Sequence, residues 1–233
     1  DTKVRMRMRI PPDACEVSCR VRAEVARPRP SSGRWLHPED RGAVRVLTLN
    51  RPEARNALST ELFEALYAAL ADIGDSARAV VLTGADPAFC AGVDLKQAQH
   101  LGMDYFARFD KMNCMNAVVA LRQPVIGAIN GATFTGGLEL ALACDFLIAS
   151  ERAVFADTHA RVGILPGGGM TARLPRLVGS GMARRLSMTG EVVDAVRAER
   201  LGLVTEVVAH ERLVARAVEV AEQITEVPGP VMA

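Results

Sequence analysis

The sequence has no excess of charge of either sign: 28 Lys and Arg stand against 27 Asp and Glu, a formal net charge of +1. A balance this even removes the global electrostatic case for nucleic acid or an anionic membrane surface, while a local basic site for a phosphorylated ligand stays open. No run approaches the roughly 18 apolar residues of a membrane span, so none is expected. The basic N-terminus lacks the apolar block of a secretory signal. Cysteine is scarce, with five at positions 15, 19, 90, 114 and 144. An odd count without a dense pairing pattern points to reduced thiols in a cytosol-like, cytoplasmic compartment. Cys15 and Cys19 are spaced C-x3-C with no second pair nearby, so no metal site is expected. No repeat of fixed period is present.

What is there suits one domain, or one domain plus an extension: of 233 residues, 49% are hydrophobic, enough to bury a proper core. Residues 1 to about 40 differ from the rest, holding nine of the 28 Lys and Arg and five of the 12 Pro. The stretch Arg27 to Gly33 has neither helical nor strand period and reads as an extended linker. Three readings of the segment compete: a flexible extension, a targeting peptide that would direct the chain to the mitochondrial matrix, or sequence translated from an upstream start. Asp13, Glu16 and Glu24 weaken the second, because transit peptides are poor in acids.

From Ala43 the texture becomes strands alternating with helical segments. Val44 to Leu49 alternates and is rich in β-branched residues. Ser59 is a plausible N-cap for a helix carrying Leu62, Leu66, Leu70 and Ile73. Ala79 to Thr83, Pro124 to Ile129 and Phe146 to Ala149 are apolar strands, expected to be covered on both faces. Met103 to about Leu121 reads as helical, and helices dominate from Thr171 to Ile224 around a short strand at Thr205 to Val208. The class is α/β. The expected division is an extension over 1–40, a core over 41–190 and a helical C-terminal region over 191–233.

Two glycine-bearing turns follow two of these strands: Phe89 to Leu95 (FCAGVDL) and Asn130 to Glu139 (NGATFTGGLE). Glycine lets a backbone approach a ligand without a Cβ in the way. A helix opening at Gly136-Gly137 presents unpaired N–H groups. Two such donors converging on one carbonyl oxygen make an oxyanion hole, where each donor is typically worth ~3 kcal/mol of transition-state stabilisation. Taken alone these turns are ordinary loop geometry.

The full succession is more specific: Asn50 to Leu58 (NRPEARNAL), FCAGVDL, NGATFTGGLELALACD, Gly163 to Gly169 (GILPGGG), Thr189-Gly190, and Ala198 to Val204 (AERLGLV). From about Ala43 to Ile224 it resembles the crotonase, or enoyl-CoA hydratase/isomerase, superfamily. The resemblance implies a crotonase-like spiral core of ββα turns with a helical C-terminal region, and trimers or dimers of trimers. It implies an acyl-CoA thioester as substrate, in fatty acid metabolism, with no cofactor beyond the CoA it carries and no metal. It assigns the two carbonyl-polarising N–H groups to Val93 and Gly136, and CoA-facing positions to Arg55, Ala57, Val93, Asp94 and Leu95. Family members usually continue past the equivalent of Ala233 with a further helical segment.

Glu139 matches the first of the two glutamates that hold a water in family hydratases. The second is absent, and its position falls on His159, which can act as acid or base near neutral pH. Asp157 and Asp94 are the other nearby acids, the latter in a turn where it can simply hold the loop. Cys90 and Cys144 lack a matching base pattern for thiol catalysis. Three readings follow. The first is hydration of trans-2-enoyl-CoA by Glu139 and His159. The second is isomerisation, or another thioester-enolate step, by Glu139 alone. The third is a low-activity acyl-CoA-binding protein.

Overall fold

Strand β1 (Leu36–Arg41) runs antiparallel to β2 (Val44–Leu49), with Leu36 opposite Leu49 and Arg41 opposite Val44. A helical turn at Pro52–Ala54 leads to α1 (Thr60–Ala71), where the Ser59 hydroxyl accepts the Leu62 amide as an N-cap. Next come β3 (Ala79–Gly84), β4 (Ala88–Cys90), α2 (Leu95–Leu101), α3 (Met103–Lys111), α4 (Cys114–Val119), β5 (Val125–Ile129) and β6 (Ala132–Phe134). They are followed by α5 (Gly136–Leu142), β7 (Phe146–Ser150), β8 (Val154–Ala156), α6 (His159–Val162), α7 (Met170–Val178) and α8 (Ser180–Thr189). The last elements are β9 (Val193–Asp194), α9 (Ala195–Arg200), β10 (Glu206–Val208) and α10 (Leu213–Thr225). The computed structural model describes residues 34–227.

The strands form two sheets, one ordered β1-β2-β3-β5-β7-β10 and one ordered β4-β6-β8-β9. From β2 to β10 the larger sheet is parallel. Its apolar strands alternate between two cores. Leu47, Leu49, Val80, Leu82 and Leu147 enter the main core, while Val44, Val46, Ala79, Val81, Ile126 and Ile148 pack on the other face with Leu213, Ala217 and Ala221 of α10. Burial on both faces is why these strands read as continuous apolar runs. The smaller sheet supplies the functional geometry, because β4, β6 and β8 are parallel and end side by side.

Two expectations are corrected. The sheet begins at Leu36, inside the stretch expected to precede the fold (residues 1–40), and residues 1–33 lie outside the described residues. Only Leu36 of β1 is buried, so this edge strand carries no hydrophobic period and rests on its backbone ladder. The segment from Met103 to Leu121 is two helices. Asn113 breaks it, accepting the Asn116 amide at 3.0 Å as a new N-cap in place of the continuing helix.

Candidate active site

The three parallel strands of the smaller sheet deliver three short segments to one place. In register, Cys90 pairs with Thr133, and Thr133 with Phe155. Three residues beyond Cys90 is Val93, three beyond Thr133 is Gly136, and just beyond β8 come Asp157 and His159. The first two turns are in contact. A Cβ added to Gly136 would sit 3.6 Å from the Val93 nitrogen, and one added to Gly92 would sit 3.3 Å from the Gly136 nitrogen. Gly92 has φ +100°, and its added Cβ would also lie 2.9 Å from the Phe134 carbonyl, so only glycine fits there. Thr135 turns the chain into α5 at φ 55°, a rare value for a β-branched residue. It is held by its amide donating to Ala156 O at 2.9 Å and by a hydroxyl contact with Thr158. Among the described residues, neither the Val93 nor the Gly136 amide has an acceptor within the protein.

Glu139 lies on α5, a helix whose seven residues are all buried. Its Oε1 accepts the amides of Gly168 at 2.8 Å and Met170 at 3.1 Å, from the start of α7 and the loop before it. The loop comes so close that a Cβ at Gly168 would lie 2.8 Å from Glu139 Oε2. With Oε1 satisfied, Oε2 lies 3.6 Å from Nε2 of His159. The other ring nitrogen, Nδ1, is 2.7 Å from Asp157 Oδ1. Glu139, His159 and Asp157 are 3%, 4% and 1% exposed, a buried row of three titratable groups. Burial works to raise the Asp157 carboxyl pKa, but hydrogen bonds from the His159 ring, Ser187 and the His159 amide outweigh it and hold it below the usual carboxylate value.

A second seam runs beside the Val93 turn. The Leu58 amide donates to Gly92 O at 2.7 Å, the Asp94 amide to Leu58 O at 3.2 Å, and the Ala91 amide to Arg55 O at 3.0 Å. Arg51 ties the seam from outside, donating to Ala57 O at 3.1 Å and to Asp94 Oδ2 at 2.5 Å. The other Asp94 oxygen caps α2 by accepting the Gln97 amide at 3.0 Å. Burial again opposes ionisation, but the Gln97 and Lys96 amides together with the Arg51 guanidinium hold the Asp94 carboxyl below its ordinary pKa.

The family described as enoyl-CoA hydratase/isomerase matches residues 39–233. A Rhizobium meliloti protein named "Probable enoyl-CoA hydratase" is 42% identical over 201 residues, covering 84% of this chain and 77% of its own. The crystal structure of an enoyl-CoA hydratase from Mycobacterium tuberculosis is similar at 51% identity and a TM-score of 0.76, covering 85% of each chain. A monofunctional enoyl-CoA isomerase from M. smegmatis is similar at 34% identity and a TM-score of 0.73, covering 85% of this chain and 88% of its own.

The chain belongs to the enoyl-CoA hydratase/isomerase family.

Within this family fold, the expected site residues fall into two groups. Val93, Gly136, Glu139 and His159 come together at the ends of β4, β6 and β8. Arg55, Ala57, Val93, Asp94 and Leu95 lie along the adjoining seam, where Arg55 is exposed and Leu95 is 51% exposed. Asp94 is committed to Arg51 and to capping α2, so it holds the loop. Sequence reasoning passed over Asp157 as merely a nearby acid and did not single out Arg51 or Gly168. The signal for Asp157 was its place two residues before a histidine that had itself been singled out. Among the described residues, no group of three His, Cys, Asp or Glu is arranged to hold a metal ion. None of their helices is long and apolar enough to cross a membrane.

Proposed function

We propose that this protein hydrates trans-2-enoyl-CoA thioesters, with the Val93 and Gly136 amides as an oxyanion hole and Glu139 with His159 handling the water. The observation that carries the reading is the contact of two turns with unpaired N–H groups beside a buried Glu139–His159 pair. Donors fixed by the fold need no reorganisation when charge gathers on the thioester oxygen, which is why such a pair lowers the barrier. Two side chains whose polar atoms are 3.6 Å apart can both reach one water at ~2.8 Å from each. Holding one proton between them, one member takes a proton from water as its oxygen bonds Cβ. The other delivers its proton to Cα as the enolate collapses, and the pair again holds one proton.

The CoA portion runs along the seam of Ala57, Asp94 and Leu95, with the exposed Arg55 beside its phosphates. The reading calls for no cofactor besides the substrate's own CoA. A homotrimer or pair of trimers in a cytosol-like compartment completes the proposal, and the free, buried Cys90, Cys114 and Cys144 fit reducing surroundings. Spectrophotometric assay of purified protein with crotonyl-CoA and longer enoyl-CoAs tests it. Hydration of at least one chain length is expected, and no turnover at any length contradicts it.

A second reading rests on the histidine where family hydratases carry their second glutamate. Double-bond isomerisation needs one base, which Glu139 supplies alone. In that case His159→Ala keeps isomerase turnover on 3-enoyl-CoA while Glu139→Gln abolishes it. Loss of both activities in both variants favours hydration.

A further inference from the structure

We infer that Asp157 is a positioning residue for His159: it keeps a proton on Nδ1 and so reserves Nε2, on the Glu139 side, as the ring atom that exchanges protons. The inference rests on the proposed hydratase reading and adds a third member to its site.

The geometry leaves Nδ1 one role. Asp157 Oδ1 lies 2.7 Å from Nδ1 and also receives the His159 amide at 3.2 Å, so ring and backbone are held by one oxygen. Asp157 is kept ionised by the hydrogen bonds it accepts, and an ionised carboxylate only accepts. Nδ1 therefore donates. In the neutral ring Nε2 then carries a lone pair, the same acceptor that the missing glutamate would offer a water. When Nε2 takes a proton, the positive charge forms 2.7 Å from a carboxylate already in place.

Glu139 is arranged to match. Its Oε1 is occupied by Gly168 and Met170, which leaves Oε2 as the oxygen opposite Nε2. During hydration the water oxygen forms its bond to Cβ as the π electrons move to the thioester oxygen, and the enolate then takes a proton at Cα. Only Nε2 and Oε2 gain or lose protons in this sequence, and the Nδ1 proton never leaves. Stability alone is a weak reason for the row, since buried ionic pairs are on average no better than well-packed apolar residues.

The test uses the full chain labelled with 15N-histidine, with His159 assigned by comparison with His159→Gln. Long-range proton–nitrogen NMR of the wild type is expected to show His159 protonated at Nδ1. In Asp157→Leu the Nδ1 protonation is expected to diminish and kcat for hydration to fall by ~100-fold, with KM within about threefold. Asp157→Asn, which keeps an acceptor oxygen without the charge, is expected to lose less. A wild-type ring bare at Nδ1 overturns the inference whatever the Leu variant does, even if that variant fails to fold. Unchanged kcat in Asp157→Leu and Asp157→Asn also overturns it, with the hydratase reading left standing. A wild type that hydrates no enoyl-CoA is the separate failure of that reading and takes the inference with it.

Discussion

Nε2 of His159 and Oε2 of Glu139 lie 3.6 Å apart, each belonging to a side chain whose other polar atom is already taken, by Asp157 and by two backbone amides. The pair therefore has one free acceptor or donor on each side. Glu139→Gln removes the carboxylate oxygen that faces His159 Nε2 and should lower kcat by ~10²–10⁴-fold with KM little changed, as expected of a proton-transfer group. Steady-state kinetics with a 2-enoyl-CoA measures this. An unchanged kcat contradicts a catalytic Glu139.

The contact between the Val93 and Gly136 turns separates folding from activity. In Gly136→Ala the new Cβ meets nothing closer than 3.6 Å, so the variant should fold with a near wild-type Tm. Its methyl lies against the Val93 amide, so turnover should fall by tenfold or more on the ~3 kcal/mol scale of such donors. Gly92→Ala instead forces φ +100° and a 2.9 Å contact with Phe134 O. It should lose about 1–3 kcal/mol, at ~2–4 °C of Tm per kcal/mol for a chain of this size. Equal thermal loss in both variants would contradict this distinction.

The thiols of Cys90 and Cys114 are buried, and burial pushes each up to about 12. Cys144 is raised further, first by burial and then by the neighbouring Asp145. Thiolate is the reactive form, so none of the three should be alkylated by iodoacetamide in the folded protein at pH 8. Peptide mass spectrometry should show labelling of all three only after denaturation. Rapid labelling of Cys90 in the native state contradicts the burial of the β4 end.

Asp94 has a folded-state pKa below its ordinary value, so its ionisation stabilises the native chain. That contribution is fully present above the unfolded value of ~3.9 and is lost as pH falls through the lower folded value. Urea midpoints should therefore be flat near neutrality and drop below about pH 4. Asp94→Asn keeps an N-cap but loses the charge opposite Arg51. It should be less stable at pH 7 and show a shallower acid decline. A decline as steep as that of the wild type contradicts the assignment.

The parts of the fold legible in the sequence are those whose burial leaves a pattern. β2, β3, β5 and β7 are apolar on both faces, and α1 carries its leucines on one stripe behind the Ser59 cap. β4, β6 and β8 have three residues each, too few for any period; β4 and β6 overlap the two glycine-bearing turns of the sequence, and β8 lies in a stretch to which the sequence assigns no element. Their parallel register nevertheless brings Val93, Gly136 and His159 together. The break at Asn113 is a signal the sequence carries, since asparagine favours caps over helix interiors, but the helical texture on both sides of it reads as one segment. Asp157 reads in the sequence only as a nearby acid, because its partnership with His159 arises where the chain leaves β8 and turns into α6.

The most direct measurement is a crystal structure with a saturated acyl-CoA thioester that cannot be hydrated. The thioester oxygen should lie about 2.7–3.1 Å from both the Val93 and the Gly136 nitrogens, with the α and β carbons over Glu139 and His159. An oxygen bound to one amide only, or a thioester bound away from these turns, contradicts the account.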